Sequence, residues 1–82
     1  MKITYDPKYN IAYVKLQDKL DKKAKVQTLQ LSDEVNIDVS PDGKVYGIEF
    51  LNAKTQLKMV KGAAFTFTNE STGKSVRLPL EV

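Results

Sequence analysis

Three carboxylates stand where an acid, a base or a cation ligand would be most useful. They are Asp6 ahead of Pro7, Asp38 inside Val35-Asn36-Ile37-Asp38-Val39, and Glu49 inside Gly47-Ile48-Glu49-Phe50-Leu51. Two carboxyl groups do paired acid/base work when they lie within about 5 to 9 Å of each other. The 82-residue chain has no His and no Cys, so it offers no imidazole base, no thiolate and none of the usual zinc ligands. Its Ser and Thr residues therefore lack an obvious activating partner. Phosphate-loop and zinc spacings are absent as well. The second chemical candidate is the quartet Lys19, Lys22, Lys23 and Lys25, a basic finger for nucleic acid. Asp18 and Asp21 dilute its field, the net charge is only +3, and Arg77 is the sole arginine.

These residues must be positioned by strands. Ile3-Thr4-Tyr5 and residues 11–16 read as two strands around the turn-forming Asp6-Pro7-Lys8-Tyr9-Asn10. Asp6 in that setting is best placed to accept a backbone N–H of its own turn. Residues 17–25 form a solvated connector, and Val26-Gln27-Thr28-Leu29-Gln30-Leu31 is a third strand turned by Ser32-Asp33-Glu34. Val35, Ile37 and Val39 alternate with polar residues, the period of a strand with one buried face. A further strand runs over residues 44–51. Asn52 is placed to cap a short helix from Ala53 to about Lys61, with Gly62 as its stop. A last hairpin, residues 63–68 and 74–80 around Glu70-Ser71-Thr72-Gly73, sets Phe67 against Val76 and Phe65 against Leu78. Pro79 marks an edge strand there, because it cannot donate to a ladder.

The register of the central hairpin decides whether Asp38 and Glu49 can cooperate. A four-residue loop, Ser40-Pro41-Asp42-Gly43, sets Val39 against Lys44, Ile37 against Tyr46 and Val35 against Ile48, which joins apolar to apolar and is favoured on that ground. A three-residue loop with a bulge sets Val39 against Val45, Ile37 against Gly47 and Val35 against Glu49. In the favoured register the two carboxylates are about 13 Å apart along the strands, and in the other they lie on opposite faces. Neither makes a dyad. Glu49 among apolar neighbours is then a carboxylate held by a lysine or a backbone amide, or a contact to a partner.

Two blocks stand in order: Ile3-Thr4-Tyr5-Asp6-Pro7 with Tyr13 and Leu16, then Asp38, Asp42-Gly43, Gly47-Ile48-Glu49 and Leu51-Asn52-Ala53. Together they resemble the prokaryotic domain of unknown function 2283 family over residues 1 to about 57. Asn10, Ser40 and Lys54 depart from the common Asp, the second acid of a D-x-D and the usual Ser of that pattern. The resemblance implies no activity. It does bring in relatives encoded beside small toxin-like proteins, and hence a cognate small protein as a partner.

The reading is a single mainly β domain, α+β at most: an antiparallel sheet of successive hairpins, about seven short strands, with one short helix or helical turn near 53–61. Residues 1–57 are its family-like core and 58–82 an additional hairpin. The expected function is a small non-catalytic binding or assembly module without cofactor or metal, with Tyr13, Tyr46 and Glu49 as partner contacts. The alternative is a weak nucleic-acid binder using the four connector lysines. No segment has the roughly 18 apolar residues of a membrane span, and the polar N-terminus is unlike a signal peptide, so a cytoplasmic setting is expected. Residues 44–51 are apolar on both sides, Tyr46, Ile48 and Phe50 on one and Val45 and Leu51 on the other, and Tyr13 and Ile11 add to a second face. That excess predicts a homodimer, unless the C-terminal hairpin folds back and covers it.

Overall fold

The computed structural model describes residues 1–17 and 25–82; Lys19, Lys22 and Lys23 lie outside the described residues. The chain runs β1 (Lys2–Asp6), β2 (Ile11–Lys15), β3 (Gln27–Ser32), β4 (Val35–Val39), β5 (Val45–Leu51), α1 (Ala53–Gln56), β6 (Ala64–Thr68) and β7 (Ser75–Pro79). It is mainly β and antiparallel throughout, as the alternation requires. Five strands make one sheet in the order β1-β2-β5-β4-β3, and β6 and β7 pair separately. The contact that local patterning does not reveal is β2 against β5, which inserts the N-terminal hairpin beside the central one.

The central hairpin follows neither expected register from end to end. Gly43 N–H donates to the Ser40 carbonyl at 2.9 Å, and Ser40 N–H to the Lys44 carbonyl at 2.9 Å, so Pro41-Asp42-Gly43 form the loop and Val39 meets Val45. Gly43 takes a left-handed φ of 84°, as that loop demands. A bulge then slips the ladder by one residue, so that Asp38 meets Gly47, Ile37 meets Ile48 and Val35 meets Phe50. The turn chemistry and the apolar pattern are thus both satisfied, each on its own side of the bulge. The favoured four-residue register is corrected for this reason. The C-terminal hairpin, in contrast, has the expected pairs, Phe65 with Leu78 and Phe67 with Val76.

The pairing lines apolar side chains into a row across five strands: Ile3, Val14, Ile48, Ile37 and Leu29. A second row on the same face runs Tyr5, Ala12, Phe50 and Val35. The segment after β5 packs on this second row. Ala12, Ala53 and Met59 are buried there, with Tyr5, Phe50, Leu57 and Leu80 around them.

The helix that delivers Ala53 is one turn long, shorter than its apolar spacing promised. Asn52 does not cap it by side chain, because Asn52 itself is left-handed with φ 51°. Asn10 does so instead from the β1–β2 turn: its side-chain oxygen accepts the Lys54 N–H at 2.9 Å and its carbonyl accepts the Ala53 N–H at 3.0 Å. The same oxygen accepts the Tyr5 hydroxyl at 3.2 Å. The stop comes at Lys58 rather than Gly62. Lys58 has φ 50°, Met59 N–H reaches the Lys54 carbonyl at 2.9 Å and Lys58 N–H reaches the Thr55 carbonyl at 3.2 Å, the two bonds of a Schellman ending. That reversal drops Met59 into the core.

The core is small for the chain. Among the described residues no large side chain is fully buried. The accessible surface is 6434 Å², against about 4,900 Å² for a compact chain of this mass. The radius of gyration is 14.4 Å, against about 12 Å.

A Cβ built at Gly43 meets nothing within 4 Å, so a side chain there acts only on the backbone. Gly43→Val is expected to destabilise by on the order of 1 kcal/mol or more, lowering Tm by about 4 to 8 °C. An unchanged thermal melt would mean that Gly43 is not left-handed.

Candidate functional site

The sheet face opposite the apolar rows carries two polar rows. One runs Thr4, Tyr13, Glu49, Asn36 and Gln30, the other Lys2, Lys15, Gly47, Asp38 and Thr28. Gly47 is the gap in the second row, and it is what assembles the site. With no side chain on β5 at that point, the Tyr13 ring leans from β2 across Gly47 and donates its hydroxyl to Asp38 Oδ2 on β4 at 2.7 Å. A Cβ on Gly47 would collide with the Tyr13 oxygen. Thr28 Oγ1 on β3 donates to the other Asp38 oxygen at 2.6 Å, and Asn36 Nδ2 donates to Glu49 Oε1 at 2.9 Å. Four strands are joined by side chains on one face.

This geometry corrects the expected separation of the two acids. The bulge in β5 returns Asp38 and Glu49 to one face as diagonal neighbours, about 7 to 8 Å apart rather than about 13 Å. Distance alone therefore no longer separates them from a catalytic pair. Both oxygens of Asp38 accept hydroxyl donors, and Glu49 Oε1 accepts from the Asn36 amide. The Tyr13 phenol is pushed well above its ordinary range, first by burial, then by the hydrogen bond to Asp38, and then by the charges of Asp38, Tyr46 and Glu49. It stays protonated as a donor, and the shift is the reverse of what an activated phenolate needs.

Glu49, a candidate partner contact, pairs directly with Tyr13 across β5 and β2. Tyr46 sits at the bulge, where the Lys15 ammonium lies 5.9 Å from its ring centroid and where it adds to the field at Tyr13. Alternation groups it with Ile48 and Phe50, a grouping the bulge prevents. Asp6 accepts the Lys8 N–H at 2.9 Å in its own turn and stands apart from Asp38 and Glu49. Lys25 is exposed ahead of β3. Among the described residues no three His, Cys, Asp or Glu side chains gather to hold a metal ion. Thr28 and Asn36 belong to the polar networks but were not singled out by sequence, and Asn10 stood out only as a departure from the family pattern. Asn36 could have been, since it alternates on the Asp38 side of β4.

The class defined by this fold is a small antiparallel β domain with one hydrogen-bonded face and one apolar face. The chain belongs to the family described as protein of unknown function (DUF2283), which matches residues 2–54. The match ends inside α1, before β6 and β7. No curated protein matches, and no solved structure does. Among the described residues no helix is long and apolar enough to cross a membrane.

Two tests address the crossing. Gly47→Ala should destabilise by about 1 to 3 kcal/mol through overpacking against Tyr13. In a Tyr13→Ala background the cost should shrink by at least about 0.5 kcal/mol, and additive values in chemical denaturation would mean that the ring does not cross Gly47. The second test is pH. A tyrosine whose folded pKa lies above its unfolded value of about 10 stabilises the fold fully below that pH, and the contribution is lost as pH rises beyond it. Denaturation from pH 9 to 11.5 should show a fall in stability that Tyr13→Phe makes shallower; equal slopes would remove the assigned cause.

Proposed function

We propose that the chain is a small non-catalytic assembly module that acts through protein contact on its apolar sheet face and functions as a homodimer, with a cognate small protein as a further partner. The observation that carries this reading is the mismatch between apolar surface and core. Phe67 is 61% exposed and Val76 70% exposed, on a strand pair whose apolar side chains share one face. Large apolar side chains exposed together on one face are the mark of an interaction surface.

The non-catalytic part of the reading rests on the opposite face. Its carboxylates are engaged by neutral donors, its phenol is held protonated, and no imidazole or thiol is present in the sequence to generate a nucleophile. Tyr13 and Glu49 stand there as a polar contact surface for a partner, with Tyr46 at its margin. A cytoplasmic setting goes with this reading, on the cysteine-free composition. Nucleic-acid binding through the connector lysines Lys19, Lys22, Lys23 and Lys25 is the weaker alternative, since Asp18 and Asp21 dilute their field and Arg77 is the sole arginine.

Light scattering at micromolar concentration tests the assembly. A mass near twice 9.2 kDa is expected, and a mass near 9.2 kDa that persists on concentration contradicts it.

A further inference from the structure

The edge of the five-stranded sheet at β1 is built to receive one particular strand. The direction of its backbone groups follows from the ladder. Leu16 N–H donates to the Tyr46 carbonyl of β5 at 2.8 Å. Alternation along β2 then turns the N–H and C=O of Ala12 and Val14 toward β5, and those of Ile11, Tyr13 and Lys15 toward β1. Their partners on β1 are Asp6, Thr4 and Lys2. The backbone groups of Ile3 and Tyr5, two donors and two acceptors, therefore point away from the sheet, and no hydrogen bond reaches them among the described residues.

β1 has no Pro and no bulge to blunt that edge, and its register with β2 is unbroken. The described chain on either side of the connector lies elsewhere: the Gln17 side chain donates to the Val45 carbonyl of β5 at 3.2 Å, and Lys25 leads into β3 at the opposite edge. On the apolar side a groove of about 200 Å³ separates Ile3 and Tyr5 from Met59, Leu78, Leu80 and Val82, so the C-terminal segment stands off from β1 without closing it.

The sequence of β1 is complementary to itself. When a second copy runs antiparallel about Thr4, Lys2 falls against Asp6, Ile3 against Tyr5 and Thr4 against Thr4. Ile3 and Tyr5 are then the hydrogen-bonded pairs, and four bonds satisfy every outward group of both strands. The neighbouring registers do less: an axis at Ile3 leaves Asp6 without a charged partner, and an axis at Tyr5 sets Ile3 against Pro7, which has no donor. The Thr4 axis sets opposite charges together on the polar face, where Lys2, Thr4 and Asp6 are exposed, and a β-branched side chain against an aromatic one on the other. Asp6 accepts the Lys8 N–H on Oδ1, which leaves Oδ2 to face the ammonium of a second copy.

We propose that two copies join β1 to β1 across a two-fold axis at Thr4, making one antiparallel sheet of ten strands. The contact is isologous, since one patch meets itself. Ile3 and Tyr5 of each copy meet on the apolar side and fill the groove beside β1 of the other. This inference rests on the self-association reading and supplies its interface.

The test uses the full chain. Amide hydrogen exchange over the concentrations at which the unmodified protein associates should show Ile3 and Tyr5 gaining protection, while the amides of β3 at the other edge do not. Within one chain Lys2 stands opposite Lys15, so Lys2→Glu removes a like-charge pair and should leave the monomer at least as stable. In the dimer the same change sets two carboxylates against each other at both ends of the contact. The dissociation constant from sedimentation equilibrium should then rise on the order of tenfold. Mixed one to one with an Asp6→Lys chain, the Lys2→Glu chain should regain the dimer, because both pairs again carry opposite charges. If the unmodified protein dimerises while Ile3 and Tyr5 exchange at an unchanged rate, or if Lys2→Glu dimerises equally well, the β1 contact is wrong and self-association stands. Protection gained on β3 in their place assigns the dimer to the opposite edge. A monomeric unmodified protein overturns both the contact and the reading beneath it.

Discussion

A five-stranded sheet has two faces, and among the described residues the packed core covers only one end of the apolar one. That constraint organises the molecule. The row Ile3, Val14, Ile48, Ile37 and Leu29 and the row beside it need a layer on top, and the chain beyond β5 supplies only one turn of helix, Met59, Leu57 and Leu80. These close the Tyr5, Ala12 and Phe50 end. Ala12 and Ala53 are small enough for the helix to approach the sheet closely, and both are fully buried. The outer half of the face has no such layer among the described elements, and the C-terminal hairpin keeps its own apolar side chains in solvent. At this chain length, burying that remainder is a large share of the available stability.

The opposite face reaches a different solution, in which hydrogen bonds replace a covering layer. Tyr13 reaches Asp38 only because Gly47 leaves the path open, and Thr28 completes the carboxylate. Asn10 plays the comparable part at the sheet's end, where one side chain serves Tyr5, Asn52 and the N–H of Lys54. Because both networks join strands from the two separate hairpins, they stabilise the β2–β5 seam, which has the longest sequence separation in the sheet. A face stabilised in this way can remain wet.

Strand existence was legible because period-2 alternation is strong in Val35–Val39 and in the Phe65 to Phe67 and Val76 to Leu78 pairs. The family was legible in short blocks around Asp6-Pro7 and Gly47-Ile48-Glu49, and it covers residues 2–54. Register in the central hairpin was not legible, because the turn and the apolar pattern there demand different alignments and a bulge reconciles them. The same bulge moves Asp38 and Glu49 onto one face and separates Tyr46 from Ile48, so the candidate site could not be drawn from local pattern. The helix end was misplaced at Gly62 because Lys58 adopts the left-handed angle that glycine usually supplies. Asn10 as a cap was beyond local reading, as it acts on a helix more than 40 residues away.

If the apolar face is closed by a second copy, folding and association are one equilibrium, and stability must depend on protein concentration. Thermal unfolding followed over a hundredfold range of concentration tests this most directly. The account requires Tm to rise steadily with concentration. A Tm that stays constant across that range would show that one chain is stable alone with its apolar face uncovered, and would contradict the account at its centre.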